Sequence, residues 1–153
     1  MDPNSDRFFN YDFIVTILWI GFVIAISFIE APLRFQAEGI TTPIALQVGR
    51  LVFHALNYCE IAFAIWLTVC HFTNQGPRNT RLVLLLVLLI LVIQTLLLFV
   101  FLDPRTSAII AGQEVESASY HTIYIFLEVA KLLSLVLLAR SQLRDFKNRL
   151  TNR

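Results

Sequence analysis

Residues 82–102 read LVLLLVLLILVIQTLLLFVFL, without one charged side chain and with Gln94 and Thr95 as the polar interruptions. A helix that crosses a bilayer needs about 20 apolar residues, with a range of about 17–25. An open strand of this composition would leave its backbone groups unsatisfied in lipid, so a helix is the conformation it can adopt there. Similar segments lie on either side. Residues 13–29 carry no charge, residues 51–70 carry Glu60, and residues 120–139 carry Glu128 and Lys131. These spacings predict four membrane helices over about 13–29, 51–70, 82–102 and 120–139. The fold class is all-α, an integral membrane four-helix bundle forming a single domain over residues 1–153.

Composition agrees. The chain is 57% hydrophobic and 15% charged, whereas a soluble domain is about 45–50% apolar and about 25% charged. A net charge of +1 gives no reason to expect a nucleic-acid partner. No zinc-ligand spacing, Gly-rich phosphate loop or nucleophile elbow is present, so an enzyme is not the expected class. Cys59 and Cys70 would stand about 16 Å apart along one helix, too far to join, and read as packing residues. The first segment is preceded by Asp2, Asp6, Arg7 and Asp12 and followed by EAPLRF. It is therefore expected to stay as a helix rather than be cleaved as a signal peptide.

Orientation follows from Lys and Arg. Arg7, Arg78, Arg81, Arg140, Arg144, Lys147, Arg149 and Arg153 fall on one side, against Arg34, Arg50 and Arg105 on the other. The richer side should be cytoplasmic, with both termini there. The host membrane is a bacterial inner membrane or a eukaryotic secretory or plasma membrane. The tail, residues 140–153, places Leu143, Phe146 and Leu150 on one helical face among basic residues and reads as a surface helix on anionic lipid.

The polar exceptions recur in order. Glu30, Pro32 and Arg34 are followed by His54 and Glu60; Asp103, Pro104 and Arg105 are followed by His121 and Glu128. This reads as a tandem repeat of a two-helix hairpin, the copies parallel and related by an axis along the membrane normal. In each unit a proline is expected to end the odd helix, and the acid and arginine to pair or reach loop carbonyls. Counting residues puts Glu60, Glu128 and Gln94 near the bilayer midplane, and His54 and His121 near the outer surface.

Helical phase adds detail. Gln47, Arg50, His54 and Asn57 form one stripe that Glu60 extends, and Glu128 can pair with Lys131 three residues on. A charge at the bilayer centre costs roughly 2.5–3.5 kcal/mol on insertion scales, so the two glutamates are expected to face each other or Gln94 across the bundle axis. One reading of this set is a site for protons, cations or a small cationic solute, used in transport or coupling. Its binding residues would be Glu60, Glu128, Gln94, Lys131, Asn57, His54 and His121, with an outer vestibule of Glu30, Arg34, Asp103 and Arg105, joined by Glu114 and Glu116. A second is a b-type haem held between His54 and His121, with arginines toward its propionates; no cofactor is favoured over none. A third is a structural or assembly subunit whose polar residues clamp the helices. A di-iron site lacks its Glu-x-x-His pattern. Expected partners are membrane lipid and a second copy or another membrane subunit.

The run LLFVFLDPRTSAIIAGQEVES, followed by Tyr120–His121, resembles the transmembrane protein 205-like family. There an apolar helix ends in an acid–Pro–Arg–Thr motif, matched here by Asp103, Pro104, Arg105 and Thr106, and a Tyr–His pair opens the last helix. GRLVF at residues 49–53 is a looser match. The resemblance implies a four-helix membrane protein able to affect metal-drug handling in secretory membranes. Glu60 and Glu128 stand outside that pattern, and His54 takes a position where the family often has proline.

Overall fold

The computed structural model describes residues 3–73, 77–113 and 119–151. Asp2, Glu114, Glu116 and Arg153, and the side chains of Asp6, Arg7, Arg149 and Leu150, lie outside the described residues. Helix α1 covers Pro3–Val23, α2 Ala31–Arg34, α3 Thr42–Thr73, α4 Arg78–Leu96, α5 Asp103–Ile110 and α6 Tyr120–Thr151. Two π-helical segments, Ile24–Glu30 and Leu97–Leu102, join α1 to α2 and α4 to α5. The result is four rods, each long and apolar enough to cross a membrane: Tyr11–Arg34, Thr42–His71, Arg78–Ile110 and Tyr120–Asn148. The molecule is an integral membrane four-helix bundle.

Neighbouring rods run antiparallel, as short connections require. Contacts between the long helices run α1–α3, α3–α4, α4–α6 and α6–α1, so the four form a ring, with α1 facing α4 and α3 facing α6 across the diagonals. Exchanging the hairpin α1–α3 with the hairpin α4–α6 preserves this ring, the arrangement expected of two parallel repeats. Leu85, Leu89, Val92 and Leu96 stay exposed along α4, as a lipid-facing stripe should. Trp19, Val23, Ala64, Leu67, Leu84, Val87, Leu91, Leu135 and Leu138 form the buried apolar core.

Proline does not end the first and third rods. Both continue as helix past Pro32 to Arg34 and past Pro104 to Ile110. A proline inside an α-helix has no N–H for the carbonyl four residues back and its ring collides with it. Widening the preceding turn removes the conflict. Ala31, just before Pro32, donates its N–H five residues back to Ile26 O, and Asp103, just before Pro104, donates to Leu98 O. The same solution in both halves is a structural mark of the repeat.

The even helices are longer than their apolar windows. α3 begins at Thr42, well before residue 51, and α6 runs unbroken through the basic tail to Thr151. Part of that tail packs inward: Gln142 is buried, and Thr80 Oγ1 at the start of α4 donates to Asp145 Oδ2 at 2.7 Å. Leu143 remains exposed.

At the end of the bundle away from the termini Arg34 ties α2 to α3. Its guanidinium pairs with Glu30, donates to Ala45 O at 3.3 Å, and lies 5.9 Å over the Phe53 ring. Gly49 makes room for it, since a Cβ there would stand 1.8 Å from Arg34 Nη1. The second acid behaves differently. Asp103 receives His54 Nε2 at 2.8 Å and lies 3.5 Å from Arg50 Nε, so α5 is fastened to α3.

Candidate functional site

The polar stripe of α3 divides along its length. Gln47, Arg50 and His54, nearer the start of α3, line a groove shared with Ser107 and Ile110 of α5. Asn57 and Glu60, near its middle, are buried inside the bundle. The phase that aligns them in sequence is real, but α5 claims the first part and the bundle axis the second.

Glu60 and Glu128 meet through Lys131. The Lys131 ammonium pairs with Glu60 Oε1 across the diagonal from α6 to α3, and lies 3.1 Å from Glu128 Oε2 one turn back on its own helix. Gln94 Nε2 of α4 donates to Glu128 Oε2. Two further donors come from the first rod. Trp19 Nε1 donates to Glu60 Oε1 at 2.9 Å, and Ser27 Oγ, in the π segment, donates to Glu128 Oε1 at 2.8 Å. All four rods thus converge on one network, and Glu60, Gln94 and Lys131 have no solvent exposure.

The centre holds two carboxyl groups and one ammonium, so with both carboxyls ionised it would carry a formal charge of −1 at a place where uncompensated charge is expensive. Among the described residues, Glu60 Oε2, Gln94 Oε1 and Asn57 Oδ1 are buried acceptor oxygens that no protein donor reaches. Asn57 spends its amide on Thr95 Oγ1 at 2.8 Å.

Access differs on the two sides. A cavity of 440 Å³ at the end of the bundle away from the termini is lined by Ser27 and Glu128 and by Arg34, Arg50 and His121. Phe28, Phe53, Leu98 and Tyr124 form its walls. Toward the termini the apolar core, from Trp19 and Ala64 to Leu135 and Leu138, packs between the helices.

The histidines are not brought together. His54 has its Nε2 on Asp103 and faces the groove beside α5, whereas His121 is exposed at the rim of the cavity. Of the vestibule residues, Glu30 and Arg34 form one ion pair, while Asp103 is engaged by Arg50 and His54; Arg105 is half-buried on α5.

Trp19 and Ser27 were not among the candidates read from sequence. A tryptophan or serine inside an apolar run carries no periodic signal of its own. The clue available was that two midplane carboxylates need donors from every neighbouring helix, and residues 13–29 offer few.

A family model described as a domain of unknown function, DUF4149, matches residues 14–114. That stretch contains Trp19, Ser27, Glu60 and Gln94 and stops before Glu128 and Lys131. No curated protein and no solved structure matches the chain.

Proposed function

The chain belongs to the DUF4149 family, and we propose that it is a small membrane carrier or coupling protein that binds a proton or a monovalent cation at the Glu60–Lys131–Glu128 centre. The observation that carries this reading is a buried centre of two carboxyl groups and one ammonium, of which Glu128 also lines a cavity. One added positive charge makes the centre neutral. Lys131 holds the two carboxylates apart, and Trp19, Ser27 and Gln94 keep them oriented whether or not that charge is present. The bias of Lys and Arg supports cytoplasmic termini, so the cavity would open toward periplasm, lumen or cell exterior. Net transport requires the apolar core on the inner side to part, and a second copy or a partner subunit would help to enclose the path.

Proteoliposomes containing a pH-sensitive dye test the reading. An imposed proton gradient should drive a flux with the wild-type protein that falls at least tenfold in Glu60→Gln and in Glu128→Gln, while both variants still elute as folded protein from size exclusion. Flux that persists unchanged in both folded variants would remove the carboxylates from any transport role. Loss of flux only in step with loss of folded protein would support a helix clamp instead.

A further inference from the structure

Resting on the reading of Glu128 as a charge-binding carboxylate, we propose that the outer-half cavity binds an apolar organic cation, an amine or onium ion carried on an aromatic or aliphatic body. The volume of 440 Å³ lies within the range of about 300–1,000 Å³ typical of small-molecule sites. It is far more room than a proton or a bare metal ion uses.

The chemistry of the lining selects the class. The walls are apolar and aromatic: Phe53 and Tyr124 pack edge to face at 5.8 Å, with Phe28 and Leu98 also lining the cavity. A strongly hydrated inorganic ion would have to shed its water along walls that offer few replacement oxygens. An organic cation carries little bound water, and its charge is stabilised over aromatic faces. At the floor the polar groups are Ser27 and Glu128. Glu128 Oε2 takes Gln94 and Lys131, Oε1 takes the Ser27 hydroxyl, and a carboxylate oxygen has room for a second donor or an adjacent positive charge. An anionic ligand would meet that carboxylate directly.

The arginines at the far end do not reverse this preference. Arg34 is neutralised by Glu30 and Arg50 lies beside Asp103. The cavity therefore runs from charge-balanced ion pairs, along an apolar wall, to a carboxyl group in a network of two carboxyls and one ammonium. A ligand with an apolar body and one cationic head satisfies each part in turn.

Two probes of the same shape and opposite charge test this: tetraphenylphosphonium and tetraphenylborate, titrated calorimetrically into the full chain in mild detergent. The phosphonium should bind saturably and the borate at least tenfold more weakly. Glu128→Gln should weaken the phosphonium at least tenfold. Leu46→Trp, which narrows the cavity from its wall without touching the ion network, should do the same and covers the case in which Glu128→Gln does not fold. Equal binding of the two probes, or phosphonium affinity indifferent to both substitutions, overturns the inference. A protein that conducts protons through Glu128 but ignores the phosphonium also overturns it and leaves the proton reading standing. A protein that does neither overturns both.

Discussion

Lys131 shows how one side chain can decide whether two others are tolerable. Without it, Glu60 and Glu128 would place two carboxylates in the bundle centre with no cation. Removing one partner of a buried ion pair typically destabilises by about 3–5 kcal/mol. Lys131→Met should therefore lower the thermal midpoint in detergent sharply, and adding Glu60→Gln to the same chain should recover part of the loss. A Lys131→Met protein that melts with the wild type would mean the ammonium is not what offsets the carboxylates. At this scale the sequence was informative about acids and bases. The pairing of Glu128 with Lys131 follows from a three-residue spacing on one helix, and the meeting of Glu60 with that pair from equal depth. Trp19 and Ser27 could not be read in the same way. Their roles depend on which face of the first rod turns inward, and residues 13–29 are apolar on every face.

At the scale of the element, the two π segments are the least expected feature. Proline announced a disturbance at the right places, but read alone it suggests a stop. What keeps the rods helical is a single widened turn that re-routes each preceding N–H to a carbonyl five residues back. The first of these turns also carries Ser27 to Glu128. Pro32→Ala removes the steric reason for the wide turn, so residues 24–30 should tighten toward α-helix. Amide hydrogen exchange across that segment should then slow severalfold, whereas Pro43→Ala, in the first turn of α3, should leave it unaltered. Equal exchange in wild type and Pro32→Ala would show that something other than the ring holds the turn open. The ends of α3 and α6 were illegible for a different reason. Membrane-length apolar windows mark the part of a helix that meets lipid, not the polar turns that extend it into water.

At the scale of the whole molecule, the four-rod architecture was readable almost in full, because hydrocarbon permits few alternatives to a helix. The order of the rods around the ring was suggested by the recurring Pro, His and Glu positions and is consistent with the contacts. The cavity was not readable, since it depends on how the four rods pack at the end away from the termini. The arrangement makes a clear demand on assembly. One hairpin holds Trp19, Ser27 and Glu60; the other holds Gln94, Glu128 and Lys131. Residues 1–76 and 77–153, co-expressed as separate chains, should co-purify from membranes. Lys131→Met in the second fragment should reduce recovery of the first severalfold. Recovery unaffected by that substitution would assign association to apolar packing alone.

The ion bridge between the hairpins also sets an order of events in biosynthesis. Glu60 is translated roughly 70 residues ahead of Lys131, a delay of several seconds at about 5–20 residues per second. During that interval the nascent first hairpin carries an unmatched acid into the bilayer, with Trp19 as the donor already made. Completion of the last helix, not insertion of the first, is then the step that supplies the acid with its ammonium.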